Sequence, residues 1–258
     1  MPESKLGGVN LNLLFPSIDA GSCSMTPEEL AARHPRLHHV TTPGAWTSIS
    51  KLGLLSTSAL LAVFEVEDAR RVELTTKRRA AEVRLEHSVH DIAILNDNLP
   101  LSERALACCL DGGLLPGDWL RLLNTRVFFW PSIDSLARLL SAKMNRKRSR
   151  EVLTFDTLGL VRAHAERVEI SPINSGSTIR KSARRGADTL TPLLTQSYAD
   201  WRRKRGGRDH VLEVIVRDGI PDISQYLVGI RTVEPPDFDS FGATPGKPPE
   251  RFQPDYAC

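Results

Sequence analysis

The sequence predicts an α+β domain. Its β-favouring runs are short, with 212–216 (Leu-Glu-Val-Ile-Val) the clearest. Its helical patterns are equally short and end at glycine or proline, as at Gly53 and at Gly112-Gly113. Strand and helix signals also follow one another irregularly, without the long crossover helices of a doubly wound parallel sheet. At 258 residues, with 41% hydrophobic and 25% charged side chains, the chain can bury one sizeable core.

Residues 1–25, rich in Gly, Ser and Asn, are expected to be a loosely ordered lead-in to a single domain spanning 26–233. Thr26 caps a first helix, with Pro27 at its opening position and Glu29 completing a capping box. An extended segment follows at 38–41. After the turn at Pro43-Gly44, the three-residue spacing of Trp46, Ile49 and Leu52 predicts a helix closed by Gly53. Residues 56–67 read as a further helix, 82–95 as one or two strands, and 101–110 as a helix. Pro116-Gly117 opens a short helix carrying Trp119 and Leu122.

Residues 127–130 then read as a buried strand and 133–140 as a helix. Strands are expected at 152–155 and 168–170, with a helix at 158–165 between them. Residues 171–190 form a polar loop, and 212–216 a strand turned by Gly219-Ile220-Pro221-Asp222 into a last extended stretch at 226–233. Residues 234–258 hold six of the 17 prolines and are expected to be irregular.

Net charge is only +3, so overall balance does not select nucleic acid. Two basic runs, KMNRKRSR at 143–150 and RRKRGGR at 202–208, could neutralise phosphates or could be solvated element ends. Cys23, Cys108, Cys109 and Cys258 have neither zinc-ligand spacing nor a disulfide framework, so reduced thiols, no metal and a cytoplasmic protein are expected. No apolar run approaches a membrane span or a signal h-region.

Four places carry candidate chemistry. On an extended segment only one of His38 and His39 can enter a cleft, where an imidazole can donate to a hydroxyl without permanent charge. Phe128 and Phe129 offer rings for stacking or for filling a core. Glu213 interrupts an apolar run, where a buried carboxylate is costly unless paired or functional; an edge strand facing solvent is the alternative. Asn174, Ser175 and Arg185 lie in the polar loop, with hydrogen-bonding groups for base edges or phosphates. No HExxH, GxSxG, Walker or GxGxxG-in-βαβ pattern occurs.

Taken in order, Leu37-His38-His39-Val40-Thr41, Val127-Phe128-Phe129-Trp130 and Leu212-Glu213-Val214-Ile215-Val216 resemble the three segments of the ADP-ribosyltransferase superfamily. The resemblance spans about 36–233 but is carried by these short segments. It implies a split β-sheet core flanked by short helices and a site that takes NAD as substrate. His39, followed by Thr41 and by Gly53-Leu54, would then hold the NAD ribose, with Thr41 towards the adenosine. Phe129 would stack on nicotinamide, Arg78 and Arg79 would grip the pyrophosphate, and Glu213 would drive transfer. The loop with Asn174, Ser175 and Arg185 would present the acceptor. Val40 stands where the poly-ADP-ribose polymerases have glycine, and Phe129 where a tyrosine is usual. The strings at 53–57, 123–130 and 173–177 also resemble a bacterial domain family that supplies no function.

The resemblance implies a toxin-like mono-ADP-ribosyltransferase that cleaves NAD and modifies DNA or RNA, with an antitoxin-like macrodomain as possible partner. Phosphate contacts would come from Arg146, Lys147, Arg148, Arg202, Arg203 and Lys204. Two alternatives stay open: a tRNA 2′-phosphotransferase-like enzyme, and a non-catalytic nucleotide- or nucleic-acid-binding module on a degenerate transferase fold.

Overall fold

A computed structural model describes residues 24–142, 145, 147–179 and 182–235. Most of the lead-in, most of the Pro-rich tail, and Arg146 therefore lie outside the described residues. The first half of the chain runs α1 (Pro27–Arg33), β1 (Arg36–Thr41), α2 (Trp46–Leu52), β2 (Leu54–Leu55), α3 (Thr57–Val63), α4 (Asp68–Thr76), β3 (Val83–His87), β4 (Asp91–Leu95), α5 (Glu103–Ala107) and α6 (Pro116–Asn124). The second half runs β5 (Arg126–Phe129), α7 (Ile133–Ser141), β6 (Arg150–Asp156), α8 (Thr157–His164), β7 (Val168–Ser171), β8 (Thr191–Pro192), α9 (Tyr198–Arg203), β9 (Glu213–Arg217), β10 (Gly219–Ile220) and β11 (Leu227–Val233). The mixture of short helices and several small sheets is α+β.

Local chemistry sets many of these boundaries. The Thr26–Glu29 capping box forms in both directions, at 3.1 Å each. Ser56, Ser102, Ser132 and Ser197 each cap a helix through their hydroxyls. Gly53 ends α2 at φ +86°, and a Cβ built there would lie 2.5 Å from the Pro221 backbone. The expected helix over 56–67 stops at Val63, because Glu65 turns left-handed at φ 49°, and α4 follows as a separate helix.

Strands β1, β6 and β11 form one antiparallel sheet with β6 in the middle, and β5, β9, β7 and β8 form another. The two meet where β1 faces the end of β5: His38 and Trp130 exchange backbone hydrogen bonds of 2.9 and 2.8 Å. Side chains alternate strictly in the second sheet. Val127, Phe129, Val214, Val216, Val168 and Ile170 enter the main core, whereas Phe128 and Ile215 pack with Trp119, Leu120 and Leu123 beneath α6. Both faces of β5 and β9 are therefore covered. The β3–β4 hairpin packs against α3 and α4 through Leu85, Ala93 and Leu95.

Candidate functional site

Glu213 begins β9, pairs with Ser171, and shares its face with Ile215 and Phe128. It is 3% exposed. The Ser175 N–H donates to both carboxylate oxygens at 3.2 Å. Burial pushes the Glu213 carboxyl up to about 7, against the lowering effects of Ser175 and of the Arg185 guanidinium. An apolar strand has thus carried a carboxylate to a place where its charge is held at a cost.

The loop that meets it is stapled from behind. Arg185 is 1% exposed, and its guanidinium donates to the carbonyls of Ser175 (3.3 Å), Asn174 (3.2 Å), Ser177 and Ala183. The Trp119 indole donates to the Ser175 carbonyl at 3.3 Å. Asn174, Ser175 and Gly176 line a cavity of about 350 Å³ together with Glu213. Arg185 does not line it, so the expectation of an acceptor contact is corrected: Arg185 shapes the loop that makes the contact.

His39 and Thr41 reach the same cavity from β1. His39 Nδ1 bonds the Phe128 carbonyl at 2.9 Å, so that nitrogen carries the proton and Nε2 is left as an acceptor. Burial pulls the His39 pKa down, against the raising effect of that bond, so the ring is neutral at physiological pH. The ring can accept from a hydroxyl, not donate to one as expected from the sequence. His38 points the other way, with Nδ1 3.0 Å from the Thr154 hydroxyl; burial and the Arg36 charge pull its pKa to about 4.

The aromatic assignment shifts by one residue. Phe129 is fully buried in the main core, edge-on to His39 at 5.9 Å and to Phe155 at 5.8 Å. It supports the His39 ring and cannot stack on a ligand. Phe128 and Trp130 line the cavity instead.

Arg79 lines the cavity, but as a structural staple. Its Nε donates to the Asn96 carbonyl (3.0 Å) and its Nη1 to the Leu74 carbonyl (2.7 Å) and Asn124 Oδ1 (3.0 Å). Burial lowers its pKa to about 10, which leaves it charged. Arg78 is absent from the cavity wall and is spent on the Leu99 carbonyl at 3.2 Å. Several arginines of the basic runs are engaged as well. Arg148 and Arg150 pair with Glu82, and Arg148 with Asp97 at 2.5 Å. Arg203 pairs with Asp200, Arg202 donates to the Gly207 carbonyl, and Arg205 lies over the Trp201 ring at 3.3 Å.

Two features were not anticipated. A second cavity of about 560 Å³ adjoins the first across Ala45, Ser48, Leu52, Ala93 and Ile94, between α2 and the β3–β4 hairpin. Glu151, buried on β6, accepts from the Gly44 and Trp46 N–H groups at 2.9 and 3.1 Å. It thereby caps α2, whose own N-cap, Ala45, has no side chain able to do so. The 105-residue separation of Glu151 from Trp46 left no local signal.

The arrangement of His39, Glu213 and the 173–177 loop lies within a region that a single family model matches, residues 35–227. The chain belongs to DUF7002, a family of unknown function. None of the curated proteins compared matches the sequence. In this DUF7002 chain no helix of the described residues is long and apolar enough to cross a membrane, and Cys108 and Cys109 are both free thiols.

Proposed function

We propose that the chain is a mono-ADP-ribosyltransferase-like enzyme that takes NAD as substrate, cleaves the bond between nicotinamide and ribose, and transfers ADP-ribose. One observation carries the reading. His39, Phe128 and Glu213, from three strands far apart in sequence, line one cavity. Two adjoining chambers of about 350 and 560 Å³ also suit a ligand with two ends, such as a dinucleotide.

In this mechanism Phe128 and Trp130 supply faces for the nicotinamide ring. His39 Nε2 accepts from a ribose hydroxyl and fixes the sugar. The pyridinium charge of NAD drives the Glu213 proton off to solvent water as the substrate binds, because an opposite charge nearby favours the carboxylate. That carboxylate then stabilises the positive charge that develops on the ribose as the glycosidic bond breaks. It needs little reorganisation, since the Ser175 N–H already fixes it. Nicotinamide leaves with the bonding electrons, and the acceptor nucleophile adds to the anomeric carbon and loses its proton.

Labelled NAD tests the reading. Wild-type protein should release nicotinamide, and Glu213→Gln should lower turnover on the order of 10²-fold or more while NAD affinity changes far less. Saturable NAD binding without release would select the non-catalytic module. Absence of both would sink the NAD reading.

A further inference from the structure

Cys108 and Cys109 stand side by side in the sequence, and the fold gives the two thiols different surroundings. Cys108 closes α5 and is exposed, whereas Cys109 is 4% exposed and belongs to the apolar cluster beneath α6. The Cys109 Sγ donates to the Leu106 carbonyl at 3.3 Å and accepts from Arg185 Nη1 at 3.4 Å. Its backbone is tied to the same arginine. The Arg185 N–H donates to the Cys109 carbonyl at 2.8 Å, and the Asp111 N–H donates to the Arg185 carbonyl at 2.7 Å. The thiol pair thus sits on the strap that holds Arg185, and Arg185 holds the 174–177 loop whose Ser175 N–H meets Glu213.

Core packing accounts for Cys109 but not for an exposed thiol next to it. An accessible thiol beside a second, resolving thiol is the arrangement in which sulfur oxidation stays reversible. The chemistry balances with hydrogen peroxide as oxidant. The Cys108 sulfur attacks the O–O bond and becomes a sulfenic acid, with loss of one water. The Cys109 sulfur then displaces the hydroxyl, which leaves with the Cys109 proton as a second water, and an S–S bond forms. Two thiols lose two electrons, and peroxide is reduced to two waters.

Closing that bond moves the backbone. Consecutive Cα atoms are about 3.8 Å apart, below the ~4.4 Å at which ordinary disulfides begin, so the 108–109 peptide must turn. The turn swings the Cys109 N–H off the Leu106 carbonyl, 3.0 Å away in the reduced chain, and takes the sulfur away from Arg185.

We propose that Cys108 and Cys109 form a thiol-oxidation site. Cys108 meets the peroxide, Cys109 resolves it as an intrachain disulfide, and the new bond loosens Arg185 and with it the loop that fixes Glu213. Neither cysteine lines the cavity, so the modification acts through Arg185 and its detection does not depend on NAD.

The test uses the full chain with Cys23→Ser and Cys258→Ser, so that only these two thiols remain. After a stoichiometric dose of hydrogen peroxide this parent should lose the mass of two hydrogens, resist alkylation, and regain both thiols with dithiothreitol. Cys108→Ser, changed at an exposed position, should keep one alkylatable thiol, and Cys109→Ala should accumulate a sulfenic acid that dimedone traps. Amide exchange at 174–177 should quicken about tenfold when the parent is oxidised, and peroxide should not alter it in either single variant. NAD turnover should fall on the order of tenfold or more in the oxidised parent and return on reduction, while Cys108→Ser is insensitive to peroxide.

A covalent dimer through Cys108, sulfinic acid without a disulfide, or a disulfide that leaves exchange at 174–177 unaltered would overturn the proposal. A chain that cleaves no NAD yet shows disulfide-dependent exchange at 174–177 would overturn only the transferase reading.

Discussion

Replacing Glu213 with glutamine should stabilise the protein, and by an amount that depends on pH. The folded carboxyl titrates at about 7 against an ordinary value of 4.5, because burial penalises its charge. Between those two pH values the folded state holds a proton that the unfolded state has released, so stability falls as pH rises across the window. The displacement of ~2.5 pH units, at about 1.4 kcal/mol each, amounts to about 3 kcal/mol. Glutamine does not titrate, and its amide oxygen can still accept the Ser175 N–H. The variant should therefore gain up to about 3 kcal/mol over wild type at pH 8 and less than about 1 kcal/mol at pH 5. Urea unfolding at the two pH values measures both differences. The same titration should make wild-type kcat/KM for NAD cleavage rise through about pH 7, with kcat rising at lower pH once the pyridinium is bound. A glutamine variant less stable than wild type at pH 8, or one whose difference is the same at both pH values, would refute the argument that Glu213 is a charge held at a cost.

Gly53→Ala should lower stability by roughly 2 kcal/mol or more in thermal unfolding, since φ is +86° and the new methyl meets the Pro221 backbone. Arg185→Met should cost several kcal/mol in urea unfolding and also depress turnover, because at least four loop carbonyls lose a charged donor at once. Glu151→Gln should cost about 1 kcal/mol and increase hydrogen exchange at the Gly44 and Trp46 amides, which lose an ionised cap. Phe128→Ala should raise the KM for NAD while Phe129→Ala mainly destabilises, by about 3–5 kcal/mol, since Phe129 is fully buried in the main core whereas Phe128 is half-buried beneath α6 and lines the cavity.

Much of the fold was legible because its signals are local. Thr26 with Glu29, Gly53 at the end of α2, and the β-branched run of β9 each announce themselves within a few residues. The choice of His39 over His38 came from resemblance, since alternation says only that the two differ; it is His39 that lines the cavity. What was not legible is long-range. The parity of Phe128 and Phe129 could not be read, because apolar layers cover both faces of β5 and each ring finds one. Arg78 and Arg79 resemble a solvated helix end until Asn98 and Asn124 close over Arg79. Arg185 sits in a polar stretch that gives no hint of burial, which arises only when the carbonyls of 174–177 converge on it. No element was expected over 68–76, where α4 forms: its run is mostly charged and polar and buries only Leu74, so it shows little apolar periodicity.

The single backbone step joining β1 to β5 acts as a proofreading device for the site. Side chains at 37, 39 and 41 share one face, and those at 36, 38 and 40 the other. A slip of β1 by one residue would exchange one imidazole for another at the cavity, an error that the double histidine alone would scarcely penalise. The His38–Trp130 exchange ties that register to the β5 strand, whose Phe128 carbonyl orients the His39 ring. A slipped strand would lose both bonds and carry Leu37 out of the core, where it is fully buried. The native register is thereby favoured over the slipped one without help from any ligand.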